Sequence, residues 1–284
     1  KKGEKLATGV STLPDFVKDA TDRNRTSPFA FTGNKFEFRT VGSSDSIASP
    51  NTTINAIVAE AFCEAADRLE KAEDFDMAVH DLIKEYMTKH QRILFSGNGY
   101  SKEWYEEAMR RGLPNIQSTI EAAPTLTTDK AVKLFEKFGI FTRVELESRE
   151  EIIYETYAKT INIEALTMID MAGKDIIPAV AAYTGELANT VVTVKEAGAP
   201  ATAQTELLVE VDSLLAEAKK ALKHLEECTV HANKIENAKE RAFYYKDVVD
   251  VAMTALRKPV DKLEMLVDSD IWPMPTYGEL MFEI

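Results

Sequence analysis

The chain has 284 residues, 45% of them hydrophobic, enough for one large domain or two ordinary ones. Thirty-four Lys and Arg against 47 Asp and Glu leave a net charge of −13, which argues against a nucleic-acid backbone as partner, since that needs clustered positive charge. No apolar run approaches the length of a bilayer span, so no membrane partner is expected.

Cys63 and Cys228 are the only cysteines and stand far apart, the usage of a reduced, cytoplasmic protein and not of a disulfide frame. The opening "KKGEKLATGV" is basic but lacks the apolar centre of a signal peptide. Beginning at Lys1 in polar text, the sequence reads as a piece of something longer.

The first chemically dense stretch is "NRTSPFAFTGNKFEFR", Asn24 to Arg39. Gly33-Asn34 suits the positive φ of a two-residue hairpin turn. That turn sets Phe31 opposite Phe36, Ala30 opposite Glu37 and Phe29 opposite Phe38. Side chains alternate along a strand, so all four phenylalanines fall on one face, and Lys35, Glu37 and Arg39 line the other. The charged row could be a solvated sheet face with a surface ion pair. Two details favour a ligand-facing row instead. Small Ala30 opposite Glu37 leaves room beside a carboxylate, and a Lys-x-Glu-x-Arg row carries what a metal nucleotide and an acidic substrate require. A carboxylate can hold Mg²⁺, and a guanidinium can clamp a carboxylate or phosphate through two parallel hydrogen bonds.

From Thr52 onward the pattern is helical. "NTTINAIVAEAFCEAADRLEKA" carries Ile54, Ile57, Val58, Ala61, Phe62, Ala65 and Leu69 at helical spacing behind an Asn-Thr-Thr start able to cap it. A second helix follows through "DMAVHDLIKEYMTKH". "SGNGYS" reads as a plain loop, since it lacks a phosphate-binding lysine. "SKEWYEEAMRRG" has a capping serine, an early glutamate and a glycine stop. Short helices broken by Pro114, Pro124 and Gly139 come next.

Between about Glu145 and Lys195 the apolar spacing barely pauses, which predicts one long helix bent near Pro178. Over 205–235 the residues Leu208, Val211, Leu215, Ala218, Leu222, Leu225, Thr229 and Ala232 alternate three and four apart, a heptad-like stripe. A further helix covers about Asn237 to Leu266, and the tail "IWPMPTYGELMF" is aromatic and proline-rich. The four histidines, His80, His90, His224 and His231, lie in helical text without ligand spacing and read as helix-surface residues. Trp104 and Trp272 read as packing residues.

The motif Asn24–Arg39 resembles the late catalytic motif of glutamine synthetases, with Asn-Arg-Ser early and Arg-Arg-Ile-Glu-Val-Arg after it. Its wording, the following "VGSSDSIASPNTTINAIVAEAF" and the tail "IWPMPTYGELMF" look like the type III branch. The resemblance covers nearly the whole chain. It implies a mainly α fold with a short β-hairpin region. Residues 1–150 would be the C-terminal part of the α+β catalytic domain, and 151–284 a long-helix bundle, the type III C-terminal extension.

Carried over residue by residue, Glu37 would be a metal ligand near the transferred phosphoryl group. Arg39 would hold substrate glutamate, and Arg25 would meet the phosphoryl group in the transition state. Lys35 stands where the family has an arginine near the nucleotide phosphates, and it cannot form the same fork. Ala30 replaces a further family arginine, and Asp15 is the sole candidate for the flap carboxylate. The family's other metal ligands, Gly-rich substrate loop and small β-domain belong upstream of this motif and are not in the sequence.

The implied activity is ATP-dependent joining of glutamate and ammonia through γ-glutamyl phosphate, with Mg²⁺ or Mn²⁺, in a homo-oligomeric ring. By itself the chain is expected to be inactive. Two other readings stand beside this one: a non-enzymatic helical assembly module, and a related carboxylate–amine ligase using another amine.

Overall fold

A computed structural model describes residues 46–93, 101–275 and 277–282, together with the backbone of four short strands before residue 39. The chain divides into two compact units, Lys1–Ile116 and Gln117–Ile284.

In the first unit, β1 (Lys5–Leu6) pairs antiparallel with β2 (Phe16–Val17). The backbone of β3 (Phe29–Phe31) pairs antiparallel with β4 (Phe36–Phe38), Ala30 opposite Glu37. The residues joining β3 to β4, and the side chains of both, lie outside the described residues.

Helix α1 spans Ala48–Leu69, beginning before the Asn-Thr-Thr start expected from the sequence. Pro50 explains the earlier start: a proline in the first turn lacks only an N–H that has no helical partner there. The Ser46 hydroxyl accepts from the Ala48 N–H at 3.2 Å. Helix α2 (Phe75–Lys89) is capped by Asp74, whose carboxylate accepts from Met77 N–H at 3.0 Å. The two helices pack together, with Arg68 donating to Glu85 across them at 2.8 Å.

The apolar stripe expected on α1 is not a buried face in this unit. Ala56 is its buried residue, while Ile57 and Phe62 are 53% and 71% exposed. Among the described residues α1 packs on α2, whose 15 residues can cover only part of a 22-residue stripe.

Helix α3 (Lys102–Arg110) starts at the Ser101 cap and ends at Gly112, where φ is +68°. Gly112 N–H bonds to Met109 and Leu113 N–H to Ala108, the paired closing bonds of a left-handed C-terminal cap.

The second unit opens with α4 (Thr119–Ala122), a 3₁₀ turn at Ala123–Thr127 containing Pro124, and α5 (Asp129–Lys137). Gly139 repeats the cap geometry: φ is +62°, and Gly139 and Ile140 bond back to Glu136 and Phe135. Helix α6 (Arg143–Met171) begins with a reciprocal cap. Thr142 accepts from Glu145 N–H, and Glu145 Oε2 accepts from Thr142 N–H at 2.8 Å.

Helical backbone continues from α6 through a π turn at Ala172–Ile176 into α7 (Ile177–Glu196). The interruption expected at Pro178 therefore takes a definite form. Pro178 has no N–H and crowds the preceding turn, and the chain answers with a wider turn in which Ile177 N–H reaches back to Ala172.

Helix α8 (Thr202–Ala232) packs along α7 and α10 (Asp250–Glu264). Its buried residues are Val211, Leu214, Ala218, Leu222, Leu225, Cys228, Thr229 and Ala232. Most of the stripe expected from the sequence is there, with Leu214 and Cys228 added and Leu208 and Leu215 only partly buried. Thr229 is buried without penalty because its hydroxyl donates to the Leu225 carbonyl at 2.8 Å.

Ala158 and Ala165 on α6 and Ala172 at the start of the π turn recur at intervals of seven and are each at most 3% exposed. Such small residues let neighbouring backbones approach closely. The helix expected over about 237–266 is present as continuous helical backbone, α9 (Ala238–Tyr244) passing through a second π turn at Tyr245–Val249 into α10. The short α11 (Tyr277–Phe282) closes the described chain.

Tyr245 anchors this arrangement. It is 1% exposed, and its hydroxyl lies 2.8 Å from Asn162 Oδ1 on α6 and 3.1 Å from Asn233 Oδ1 at the end of α8. Trp272 joins the same core, as the sequence reading expected of a packing residue.

Candidate functional site

Of the residues assigned from the sequence, Arg25, Lys35 and Arg39 lie outside the described residues, as does Asp15. Glu37 is described through its backbone alone, in β4 opposite Ala30. That register puts Glu37 and Ala30 across from one another, and Phe29 and Phe31 across from Phe38 and Phe36. Residues 94–100, expected from the sequence to be a plain loop, are likewise outside the described residues, and Ser101 caps α3.

Among the described residues, no three His, Cys, Asp or Glu side chains are grouped to hold a metal ion. The histidines are helix residues with local contacts. His80 is 3.7 Å from Asp81, and the His90 ring packs against Tyr86. His224 lies one turn from Cys228, with Sγ 3.7 Å from Nε2, and His231 lies against Tyr244. Trp104 is half-buried beneath the Arg111 guanidinium, 5.7 Å from its ring centre.

Two polar clusters tie the second unit together. Glu150 accepts from Thr127 at 2.6 Å and from Tyr154 at 2.9 Å. Burial, and then this carboxylate, push the Tyr154 phenol well above the ordinary tyrosine range. Lys246 donates to Glu121 at 2.7 Å, and this bond holds the Glu121 carboxyl below its ordinary pKa. These are structural contacts, remote in sequence from the assigned residues.

The second unit also contains a cleft of about 370 Å³. Met168, Met171, Ala172 and Ile176 form one wall and Leu256 and Val260 the other, with Trp272, Met274 and Leu280 contributed by the C-terminal segment. Arg257, Asp261 and Glu264 line it from successive turns of α10. Nothing in the sequence marked it, because its walls come from segments about a hundred residues apart and meet only through the packing of α6 and α10.

The comparisons with known proteins place the chain. Residues 78–195 match the family model described as the glutamine synthetase C-terminal domain. A "Glutamine synthetase" of Butyrivibrio fibrisolvens is 39% identical over 283 residues, covering 95% of this chain. A "Type-3 glutamine synthetase" of Dictyostelium discoideum is 39% identical over 286 residues, covering 96%. The "Glutamine synthetase" of Bacteroides fragilis (strain YCH46) is 36% identical over 287 residues, covering 98%.

The chain belongs to the glutamine synthetase family.

It spans 38–39% of the length of these glutamine synthetases. The matched glutamine synthetase domain runs from within α2 to the last turn of α7, across the boundary between the two units. Among the described residues no helix is long and apolar enough to cross a membrane.

Proposed function

We propose that this chain is the C-terminal part of a type III, ATP-dependent glutamate–ammonia ligase that works in the cytoplasm as a homo-oligomeric ring. The observation that carries the reading is identity of 36–39% with glutamine synthetases over at least 95% of the chain, including the Asn24–Arg39 motif in its alignable length.

In this reading residues 1–150 complete the catalytic domain and 151–284 form a helical extension. A γ-carboxylate oxygen of glutamate attacks the γ-phosphorus of ATP and ADP leaves, giving γ-glutamyl phosphate. Ammonia then attacks the acyl carbon, phosphate departs and the nitrogen loses a proton. Arg39 holds the glutamate carboxylate by a two-point clamp, and Arg25 meets the charge that develops on the transferring phosphoryl group. Lys35 lies by the nucleotide phosphates as a point charge.

Mg²⁺ or Mn²⁺ would neutralise phosphate charge when bound. This chain's donor set contains one carboxylate, Glu37, beside three cations. Such a set fits one ligand of a larger oxygen shell and cannot form the shell itself. The exposed Ile57 and Phe62 on α1 accord with a partly covered unit that packs on further parts of a longer protein.

The assembly-module reading drew on the heptad-like stripe of α8 and on the missing metal ligands, and most of that stripe packs inside the second unit's own core. Amine-substrate profiling of the complete protein separates ammonia from another amine.

The test is ATP-dependent glutamine synthesis with Mg²⁺ and with Mn²⁺, using this chain and the complete protein. This chain alone should give background turnover, because loss of each preorganised electrostatic group costs about 10²–10³ in rate. In the complete protein Glu37→Gln should shift the metal dependence strongly. Turnover by the isolated chain that Glu37→Gln abolishes, or an unchanged metal titration in the complete protein, would overturn the assignment.

A further inference from the structure

Helices α6 and α7 make one helical run from Arg143 to Glu196. Ala158 and Ala165 on α6 and Val180 and Leu187 on α7 enter the same core, so the π turn keeps the two halves in phase and leaves them one common outer side. On α6 that side carries Ile152, Ile163 and Leu166, between 49% and 65% exposed. Its charges answer one another, Lys159 donating to Glu155 at 2.8 Å and Lys174 pairing with Asp170. On α7 it carries Pro178, Ala181, Gly185 and Val192, all exposed. Glu186 is the single charged residue between Pro178 and Val192.

The two halves differ in a complementary way: the apolar residues are large on α6 and mostly small on α7. Ile152, Lys159 and Leu166 stand seven apart, and so do Pro178, Gly185 and Val192. That repeat lets two helices wind around each other with one face in contact. Gly185 adds a separate observation. A glycine inside a helix costs stability relative to alanine. Among the described residues no atom of the chain lies within 4 Å of the place its Cβ would take, so nothing in the chain uses the room it leaves.

We propose that this face pairs with the same face of a second copy of the chain, antiparallel about a twofold axis level with Ala172. That register sets Ile152 against the partner's Val192, Ile163 against the partner's Ala181 and Leu166 against the partner's Pro178. Lys159 crosses the partner's Gly185 and reaches the partner's Glu186, and Asp170 meets the partner's Lys174. Large residues meet smaller ones, and charges near the axis meet their opposites. A parallel pairing would instead set Ile152 on Ile152 and Lys159 on Lys159. At 1.5 Å per residue the run is about 80 Å long, and a strip about 10 Å wide along it covers about 800 Å² of each copy, the standard size of a stable interface. The contact is isologous, unlike the head-to-tail contact that closes a ring, and it does not rest on the ligase reading.

The experiment is sedimentation velocity of the full chain from about 1 to about 100 µM, where micromolar pairing shows as a shift from monomer to dimer. Gly185→Leu should leave the melting temperature of the dilute monomer no lower, since leucine favours helix and meets no atom of its own chain there, yet weaken the dimer at least about tenfold. Leu166→Glu, at an exposed position, should do the same by placing a charge in an apolar contact. In a Cys63→Ser background, Ile163→Cys with Ala181→Cys puts two thiols about 27 Å apart along one helix, so a disulfide between them forms only across copies. Mild oxidation should give covalent dimers with this pair and not with Ile163→Cys and Val192→Cys, which is out of register. A chain monomeric at about 100 µM would give the face to another part of a longer protein and overturn the proposal. A dimer indifferent to both Gly185→Leu and Leu166→Glu overturns the face, and equal cross-linking by the two cysteine pairs overturns the register.

Discussion

Removing one oxygen from the core should have a measurable cost. Tyr245 sits at the start of the second π turn, 1% exposed, with its hydroxyl between Asn162 Oδ1 and Asn233 Oδ1. Tyr245→Phe keeps the ring and its packing, so the change isolates the polar contact. A hydroxyl has one proton, and the 2.8 Å distance assigns it to Asn162. Asn233 is exposed and regains water when the phenol oxygen goes, whereas Asn162 is half-buried and loses a partner it cannot fully replace. One net hydrogen bond plus part of the penalty for a poorly solvated acceptor gives a loss of about 1–2 kcal/mol. For a unit of this size that is about 2–8 °C in Tm. Calorimetry on the full chain should show the loss in the transition belonging to the second unit. A double-mutant cycle with Asn162→Ala should return a coupling of at least about 0.5 kcal/mol. A Tm unchanged by Tyr245→Phe, or strict additivity in the cycle, would refute the reasoning.

Gly139→Ala should destabilise the second unit by about 1–2 kcal/mol, the cost of a Cβ in left-handed backbone, since no atom lies within 4 Å of the added carbon to blur the cause; denaturant midpoints with an unchanged slope check it. Stability should also fall as pH rises through about 10. Burial raises the folded-state pKa of Tyr154, Tyr157, Tyr244 and Tyr245, so above the ordinary tyrosine pKa the unfolded chain releases protons that the folded chain retains. The contribution is fully present below pH ~10 and is lost above it, at no more than about 1.4 kcal/mol per pH unit for each fully shielded tyrosine. Tyr154→Phe should flatten the alkaline limb, and denaturant titrations between pH 8 and 11 that show no such flattening would contradict this.

The helices of the second unit were legible because burial there follows periodicity. The α8 stripe is long, is flanked by Glu and Lys, and meets neighbours on both sides, so spacing alone located most of its buried residues. Caps were legible where a polar side chain and a glycine bracket a helix, as at Ser101 and Gly112. The start of α1 was not, because Asn-Thr-Thr offers caps that the chain passes over, and Pro50 fits the first turn as well as it would break a later one. Exposure of the α1 stripe was illegible for a different reason: periodicity tells which face is apolar, not what covers it. The assigned site rests on local motif alone, one charged row within Asn24–Arg39. The cleft could not be read locally, since Met168 and Trp272 meet only after three helices have packed.

The π turns lie between these cases, because Pro178 marked an interruption of the first long helix while the form it takes was not legible. On α6 the buried alanines step by seven, two turns each, which a helix of 3.6 residues per turn follows with little drift. From Ala172 the buried positions are Ile176 and then Val180, two successive steps of four. Eight residues of α-helix overshoot two turns by about 80°, a drift that α8 tolerates without interruption from Leu214 through Ala218 to Leu222. Between Ala172 and Val180 a wider turn absorbs the overshoot, and both lie in the core. Pro178 falls directly after it, where a missing N–H and a crowded carbonyl already disfavour the ordinary ladder. The second π turn, from Tyr245 to Val249, also has both ends buried, but there the buried positions Ala242, Tyr245, Val249 and Ala252 step by three, four and three. No proline lies within that turn, so a ring clash cannot be the general cause. What the two share is a buried residue at each end of the turn, packed into the same core. Val180 and Val249 are each 0% exposed, and such burial is worth about 1.5–3 kcal/mol per side chain. The wider turns keep these backbone groups paired, Ile177 N–H with Ala172 and Asp250 N–H with Tyr245, so neither leaves a buried N–H unanswered there.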